Sequence, residues 1–334
     1  MKKDDLCLVT GASGYLATWI IQKLLTEGYR VMGTVRKLND PKNDFLRATF
    51  PKIELHEGNL LNETDWSNIM KDVKWVFHTA SPPAISKSKE NKVDVGMKGM
   101  EHVFKAALSS ATVQKIVMTS SEGAICFGHP PAKTVFSEDD WSITKNIGSY
   151  YKSKTLTEQV AWKLINDKKA NPRNIPLTVI NPGIILGPSI TPNIGTSLTL
   201  IQSIIDGKIQ MFPDINSFIV DVRDCAQMHL ELMKTPLANG KRHLCYSIKT
   251  RMIELAESAQ RLGLSTATKP PKVMPKFFMW MGKYFNEDAK TVYNINGKDI
   301  SYKSLYPDVF QYEHRNLDAI IEETANSMQH IRDK

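Results

Sequence analysis

The chain of 334 residues is poor in cysteine and contains no long apolar run. Its four cysteines, Cys7, Cys126, Cys225 and Cys245, lie far apart, with no CxxC pair and no histidine at metal-ligand spacing. We therefore expect reduced, buried thiols and no metal site. No stretch approaches 18 consecutive apolar residues, and the N-terminus leads into a short apolar strand instead of a signal peptide. The expected location is cytoplasmic, with no membrane partner.

Charge of one sign is not clustered either. Lys and Arg number 43 against 35 Asp and Glu, which gives a formal charge of +8, yet no run of five basic residues occurs. Scattered lysines are typical of a solvated surface, so we expect no nucleic-acid partner, although the charge mildly favours an anionic ligand. Hydrophobic residues at 42% and charged residues at 23% exclude global disorder.

The first half of the chain alternates short apolar runs with amphipathic stretches, a pattern that predicts a parallel sheet flanked by helices. The predicted strands are 6–10, 30–35, 53–55, 75–79, 115–120 and 177–181. Predicted helices lie at 14–26, near 64–71, at 90–109 and at 150–170. This order predicts an α/β fold with a doubly wound, Rossmann-type parallel sheet.

The rhythm changes after Pro182, where Gly and Pro recur between helices predicted near 197–206, 224–234 and 251–262. Residues 270–312 are rich in aromatics and proline without a clear period. We therefore predict a Rossmann domain over 1–181 that carries the catalytic residues. Residues 182–334 then form mostly a smaller substrate-binding lobe, from which some segments return to the first domain. The aromatic run 277–281 either lines a substrate pocket or packs this lobe against its neighbour, and the second interpretation is favoured.

The first strand runs into a G-x-x-G-x-x-A turn and then directly into a helix. In such a turn Gly11 permits the tight bend, Gly14 lets backbone amides approach a pyrophosphate, and Ala17 allows close packing of helix on strand. This context predicts dinucleotide binding.

The end of the second strand indicates which dinucleotide is bound. An acidic residue about 20 positions beyond the glycine turn normally binds the adenosine ribose of NAD. Residues 33–38 contain no acid, and Arg36 and Lys37 stand there instead. A guanidinium suits a 2′-phosphate, so NADP(H) is favoured over NAD, although Asp40 leaves NAD open.

Tyr150 and Lys154 are four residues apart at the start of a predicted helix, so their side chains share one face. A neighbouring ammonium should lower the phenol pKa and ready Tyr150 for proton exchange with a carbonyl or alcohol oxygen. Ser120 ends a predicted strand and Ser121 follows it, so their hydroxyls would reach the ligand-binding edge of the sheet and bind an oxygen that gains negative charge.

Taken together, the motifs resemble the extended short-chain dehydrogenases/reductases, in the group with dihydroflavonol, cinnamoyl-CoA and yeast-type carbonyl (methylglyoxal) reductases. The motifs run along the chain at 10–17 (TGASGYLA), 34–36 (TVR), 76–82 (VFHTASP), 118–121 (MTSS), 150–155 (YYKSKT), 181–183 (NPG), 187–188 (GP) and 220–224 (VDVRD). The resemblance implies NADPH-dependent reduction of an aldehyde or ketone to an alcohol, with a small-molecule carbonyl substrate.

The resemblance also implies roles for single residues. Ser121, Tyr150 and Lys154 would form a Ser-Tyr-Lys triad with Tyr150 as proton donor, and Ser120 is the less favoured alternative for the first member. The implied cofactor-binding residues, besides Tyr150 and Lys154, are Gly11, Ser13, Gly14, Tyr15, Leu16, Arg36, Lys37, Asn59, Leu60, Thr79, Ala80, Ser81, Pro182, Gly183, Ile184 and Ser197.

Several positions depart from the family pattern or allow two interpretations. Asn59 stands where relatives usually carry the Asp that binds adenine. Glu122 follows the serines where a small uncharged residue is common, and it is either an exposed turn acid or a trace of dehydratase chemistry. We interpret His78 as a packed core histidine. His129 borders the substrate pocket or lies in a plain surface loop.

Two other functions stay open. A sugar-nucleotide epimerase or dehydratase would keep the fold and use a tightly held NAD(P), and a non-enzymatic regulator would keep the fold and dinucleotide binding without catalysis. The second is less favoured because a regulator has no chemical need for the Tyr150–Lys154 pair. Both a monomer and a homodimer are compatible with the sequence.

Overall fold

The computed structural model describes residues 1–81 and 92–332. The strands are β1 (Leu6–Thr10), β2 (Arg30–Val35), β3 (Glu54–Glu57), β4 (Trp75–His78), β5 (Lys115–Thr119), β6 (Val135–Phe136), β7 (Leu177–Pro182), β8 (Ile184–Leu186), β9 (Met211–Phe212), β10 (Asn216–Asp221), β11 (Lys241–Cys245), β12 (Ile248–Arg251), β13 (Lys272–Val273) and β14 (Ser301–Tyr302). The helices are α1 (Tyr15–Thr26), α2 (Asp44–Thr49), α3 (Glu63–Ile69), α4 (Lys92–Ser109), α5 (Ser149–Asn166), α6 (Thr196–Ile205), α7 (Val222–Lys234), α8 (Met252–Arg261), α9 (Lys276–Gly282), α10 (Glu287–Ile295) and α11 (Leu317–Arg332).

The central sheet is parallel throughout, with the strand order β11-β7-β5-β4-β1-β2-β3. Successive strands are added in one direction from β1 to β2 and β3, and in the other direction from β4 onward. The order of strand addition therefore reverses between β1 and β4. Ligands of open parallel sheets bind at such a reversal, outside the carboxyl ends of the strands. This is the doubly wound fold that the alternating pattern predicted.

Both faces of the sheet are covered, which explains why its strands consist of nearly unbroken apolar residues. On one face α1 and α7 bury Ile20, Ile21 and Leu230 against the sheet. On the other face α3, α4 and α5 bury Trp66, Phe104 and other side chains. Successive strand residues alternate between the two clusters, as the two-residue period of a strand requires.

The six predicted strands are all present, with ends shifted by a residue or two. The seventh, β11, comes from residues after Pro182 and pairs with β7, and α7 also packs against the sheet. The second half of the chain thus contributes one strand and one helix to the central sheet and its covering layer. The division at 181 and 182 stays a prediction.

The remaining segments of the second half form smaller sheets. β8 and β10 pair in parallel, β12 joins β10 antiparallel, and two short pairs, β9 with β13 and β6 with β14, lie beside them. The segment 270–312, which showed no period, contains four elements of two to nine residues. Residues 90 and 91 of the predicted helix 90–109 lie outside the described residues, as does Pro82 of the motif at 76–82. The four cysteines are free and buried, as expected.

Candidate active site

The carboxyl ends of β1, β4, β5 and β7 lie side by side and form the floor of the site. The register aligns Thr10 with His78, and His78 with Met118. Thr10 organises this edge, because its Oγ1 accepts hydrogen bonds of 3.1 Å from the backbone N–H groups of Thr79 and Ala80. The loop after β4 is therefore fixed against the end of β1.

The glycine turn after β1 lies directly against this loop. Gly11 has a φ of +69°, and a Cβ at this position would meet Ala80 at 3.2 Å, so both the backbone angle and the space favour glycine. Gly14 precedes α1 without a side-chain cap, which leaves backbone N–H groups of the first turn free for an anion. Gly33 on β2 is equally constrained, since a Cβ there would lie 2.7 Å from Ala12.

Two predicted cofactor-binding side chains in this turn point into the protein. The Tyr15 hydroxyl donates to the carbonyl oxygen of Gly187 at 2.7 Å, and Leu16 is buried. Ser13 turns its carbonyl oxygen toward the second half of the chain, where it accepts from Thr191 Oγ1 at 3.1 Å. The turn is therefore fastened to the residues that follow β8, and only backbone groups of Tyr15 and Leu16 are left to meet a ligand.

Arg36 and Lys37 are exposed just beyond the end of β2. Asp40, the residue that left NAD open, accepts a hydrogen bond of 3.0 Å from the backbone N–H of Lys42 and so caps the short turn that follows. Asn59 is also engaged locally, since its Oδ1 accepts from the N–H of Leu61 at 3.0 Å. An amide oxygen has a second lone pair, so this bond leaves room for one further donor. Leu60 is half-buried.

The three predicted triad residues converge at the same edge. Ser121 is buried just past β5, and its hydroxyl is hydrogen-bonded to the Tyr150 phenol and accepts from the N–H of Gly123 at 3.1 Å. Tyr150 is the second residue of α5, and Lys154 lies one turn further on the same helix face.

The pKa values differ from the prediction. Burial raises the pKa of Tyr150 above its ordinary value, and the Glu122 carboxylate adds to this, while only Ser121 opposes it. Burial lowers the pKa of Lys154 to about 8, although Glu158 opposes the change. The expected lowering of the tyrosine pKa is wrong for this structure, because burial of the phenol raises its pKa more than any neighbour lowers it.

A buried polar network lies next to the triad residues, around Glu158 of α5. It was not predicted from the sequence. Glu158 lies one further turn along α5 and is fully buried. Its carboxylate accepts from Ser120 Oγ at 2.5 Å, from Arg242 Nε at 2.5 Å and from Asn181 Nδ2 at 2.9 Å. Ser120 is therefore a member of this network, which supports Ser121 as the first triad residue. The signal that could have found Glu158 is its spacing, four residues after Lys154.

Glu122 is a further charged neighbour of Tyr150. Its Oε2 accepts from the Tyr302 hydroxyl of β14 at 3.3 Å, and its charge raises the pKa of Tyr150. The side chain is half-buried, and burial raises the pKa of Glu122 to about 8, although the bond from Tyr302 opposes this. The interpretation as an exposed turn acid is therefore wrong.

The remaining predicted residues lie at the end of β7, at the start of β8, in the first turn of α6 and after β4. Pro182 is buried, while Gly183 and Ile184 are half-buried between β7 and β8. A Cβ at Gly183 would lie 2.1 Å from the carbonyl oxygen of Phe218, so only glycine fits. Ser197 lies in the first turn of α6, which Gly195 begins without a side-chain cap. Ser81 is exposed after Thr79 and Ala80.

The two histidines have clear environments. His78 is buried, joined to Thr10 Oγ1 by a hydrogen bond of 3.0 Å and in edge contact with Phe104, and burial lowers its pKa to about 3. This confirms a packed core histidine. His129 is half-buried, with its Nε2 3.1 Å from the carbonyl oxygen of Ile125. Along 1–81 and 92–332 no cluster of metal-ligating side chains occurs.

Comparison with known proteins finds one family model and several reductases that are similar to this chain. A family model described as the NAD dependent epimerase/dehydratase family matches residues 7–246. Cinnamoyl-CoA reductase CAD2 of Medicago truncatula is 33% identical over 253 residues, which cover 72% of this chain and 76% of that protein. Tetraketide alpha-pyrone reductase 1 of Arabidopsis thaliana is 28% identical over 322 residues, which cover 92% and 94%.

The fold is also found among solved structures. The crystal structure of yeast methylglyoxal/isovaleraldehyde reductase Gre2 complexed with NADPH aligns with a TM-score of 0.72 and 21% identity, over 98% of this chain and 99% of that chain. This likeness extends the shared architecture beyond residue 246, into the part of the chain that forms the smaller sheets.

Proposed function

Because the chain belongs to the NAD dependent epimerase/dehydratase family, within the reductase group of extended short-chain dehydrogenases/reductases, we propose that it reduces an aldehyde or ketone to an alcohol with NADPH. The observation that carries this proposal is the hydrogen bond between Ser121 and Tyr150 at the sheet edge that also holds the glycine turn. The choice of cofactor is supported by the yeast reductase Gre2, whose crystal structure contains NADPH.

The residues present fit a dinucleotide. Gly11 leaves no side chain between the turn and Ala80, and the first turn of α1 offers free N–H groups for a pyrophosphate. Arg36 is exposed where a 2′-phosphate would need a bidentate partner, and Asp40 is committed to a cap. When bound, NADPH supplies the hydride. Tyr150, Lys154, Gly183 and Ile184 are the residues that would border its nicotinamide end.

The protein's own residues handle the proton. Tyr150 holds its proton at neutral pH, and burial makes it a weaker acid than a free phenol because it raises the pKa. The proton would pass to the carbonyl oxygen as that oxygen gains negative charge and becomes the stronger base. Ser121 orients that oxygen and stabilises the negative charge that develops on it. Lys154, with a pKa of about 8, lies one turn away on α5 and provides a positive charge for the tyrosinate that remains.

The test is turnover by the full chain with Tyr150→Phe. We expect NADPH consumption with at least one member of a panel of aldehydes, diketones and aromatic ketones, and a fall in kcat of roughly 10²–10⁴-fold in the variant. NADPH binding should be nearly unchanged, because the substitution removes only the hydroxyl. Tyr151→Phe on the same helix is the matched control and should keep its activity. No turnover across the panel, or full activity in Tyr150→Phe, would contradict the proposal.

The position of Glu122 supports a second candidate, a sugar-nucleotide dehydratase or epimerase. Dehydration needs a carboxyl group that protonates a leaving hydroxyl, and Glu122 lies beside Tyr150 with a raised pKa. Such an enzyme regenerates its cofactor within each cycle. Cofactor retained through purification, together with turnover of a nucleotide sugar without net NADPH loss, would favour this candidate over the reductase.

A further inference from the structure

Helix α9 and the residues just after it present an unusually apolar surface to solvent. We call this surface the aromatic face and define it as Phe277, Phe278, Trp280, Met281, Tyr284 and Phe285, all of which are exposed. Phe285 keeps 89% of its surface accessible and Phe277 keeps 61%. The prediction that the run 277–281 packs the small lobe against its neighbour is therefore wrong, since only Met279 is buried.

The exposed rings contact one another instead of the core. Phe277 stacks on Trp280 with ring centroids 6.2 Å apart, and Trp280 meets Tyr284 edge to face at 5.4 Å. The apolar side chains therefore form one continuous patch. Soluble monomers rarely expose such a patch unless it contacts a partner or a membrane.

Lysines outnumber acids in and around the aromatic face. Residues 258–286 contain no Asp or Glu and include Lys272, Lys276 and Lys283, while Glu287 and Asp288 follow at the start of α10. The Lys283 ammonium lies 5.1 Å from the ring centroid of Tyr284 and 4.3 Å from that of Tyr293. A positive rim around an apolar centre complements a surface that is negative outside and apolar inside.

We propose that the aromatic face docks the protein on the surface of an anionic phospholipid bilayer. Tryptophan and tyrosine prefer the level of the lipid headgroups, phenylalanine and methionine enter the acyl boundary, and lysines bind the anionic headgroups. A second copy of the chain is the weaker occupant, because a two-fold contact through this face brings the lysines of both copies together. The contact is peripheral: no described helix is long and apolar enough to cross a membrane.

The aromatic face belongs to the part of the molecule that borders the candidate active site. Gly282 at the end of α9 lies against Ala289 of α10, where a Cβ would be 3.6 Å away. Thr291 of α10 accepts a hydrogen bond of 2.7 Å from the N–H of Gly148, which caps the helix of Tyr150. Docking would therefore bring the site near the bilayer. No membrane partner was expected from the sequence, because a peripheral face of this kind leaves no long apolar run.

The test is flotation of the full chain with vesicles of phosphatidylcholine, with and without about a third phosphatidylserine. We expect binding to the phosphatidylserine vesicles that weakens at high salt. Lys272→Gln, Lys276→Gln and Lys283→Gln combined should weaken binding roughly a hundredfold, at about fivefold per lysine. Phe277→Ser, Trp280→Ser and Phe285→Ser combined should abolish it. Leu237→Ser is the matched control, since Leu237 is 75% exposed outside the aromatic face, and it should bind as wild type does.

Four results would overturn the proposal: no binding by the wild-type chain, equal binding to neutral vesicles, unchanged binding by the lysine variant, or loss of binding in Leu237→Ser. A fifth is a dimer in sedimentation that the serine variant converts to a monomer, without vesicle binding by the wild type, since this assigns the face to a second copy. The lysine variant keeps the test valid if the serine variant does not fold. The measurement needs no cofactor or substrate, so its outcome is independent of the proposed reductase activity.

Discussion

Glu122 is a titratable neighbour of Tyr150, the proposed proton donor, and its negative charge adds to the effect of burial on the phenol pKa. It is half-buried between Ser121 and the Tyr302 hydroxyl, and its pKa of about 8 means that it changes charge within the range where enzymes are assayed. Below that pH the side chain is a neutral carboxylic acid. Above it, a carboxylate stands beside Tyr150 and raises the pKa of the phenol. The two groups therefore titrate as neighbours.

Glu122→Gln should move the alkaline limb of the reductase pH profile to lower pH. Reduction needs the Tyr150 proton, and the glutamine removes the negative charge that holds this proton at high pH. Tyr150 then loses its proton earlier as pH rises. The loss of one neighbouring charge, at an effective dielectric constant near 20, should shift the alkaline limb on the order of one pH unit. The measurement is log kcat against pH for both proteins.

At low pH the two proteins should be nearly alike, because glutamine replaces a carboxyl group that is already neutral there. Glu257→Gln, an exposed change on α8, is the matched control and should leave the whole profile in place. An alkaline limb that stays fixed in Glu122→Gln, or that moves to higher pH, would show that Glu122 does not act on Tyr150.

Helix α5 shows what one element contributes beyond its two predicted residues. Tyr150, Lys154 and Glu158 recur every four residues, so they share one face, and that face meets the ends of β5 and β7. The guanidinium of Arg242, from β11, closes the network over Glu158 and also stacks on Trp141 with its carbon 3.8 Å from the ring centroid. These contacts fix the position of α5 relative to the sheet, and they therefore also fix the position of the Tyr150 phenol.

Glu158→Ala should lower the free energy of unfolding by about 3–5 kcal/mol, because it leaves the buried Arg242 charge without its carboxylate. The hydrogen bonds from Ser120 and Asn181 are lost as well. Urea unfolding followed by far-UV circular dichroism measures the change. Gln159→Ala, exposed on the same helix, should stay within about 0.5 kcal/mol of wild type. A loss below about 1 kcal/mol in Glu158→Ala would mean that the network does not stabilise α5.

Elements differed in how far the sequence could predict them. Buried parallel strands are continuous apolar runs, so all the strands up to β7 except the two-residue β6 were found from local pattern alone. The pieces of 270–312 have two to nine residues, too few for a period to emerge. Helix α11 was not predicted, although Asn316, whose Oδ1 accepts from the N–H of Ala319, is a typical N-cap residue.

The residues of the candidate site also differ in how far the sequence could predict them. Gly11, Gly14, Tyr150 and Lys154 were found because a motif sets their spacing within one element. The Arg242–Glu158 pair joins residues 84 positions apart, and no local pattern predicts which distant cation meets a buried acid. The pKa of Tyr150 was predicted in the wrong direction for a related reason. Proximity along a helix was visible in the sequence, whereas burial and the position of Glu122 were not.

At the scale of the whole molecule, the sheet is completed from both halves of the chain. β11 pairs with β7 along five residues, from Lys241 with Thr178 to Cys245 with Pro182. On the helical face, α7 packs beside α1 and buries Cys225, Ala226 and Leu230 in the same cluster as Ile20 and Ile21. The boundary at 181 thus separates segments that share one core.

The fragment 1–181 should therefore not fold cooperatively. It exposes the edge of β7, uncovers the apolar face of α1 that α7 buries, and leaves Glu158 buried without Arg242. The uncompensated charge alone costs about 3–5 kcal/mol, a large part of the roughly 5–15 kcal/mol that stabilise an average domain, and the exposed edge and uncovered helix face add to this cost. We expect a broad urea transition without a baseline, together with aggregation, whereas the full chain unfolds sharply. A fragment that unfolds in one sharp transition and binds NADPH would show that residues 1–181 are an independent domain after all.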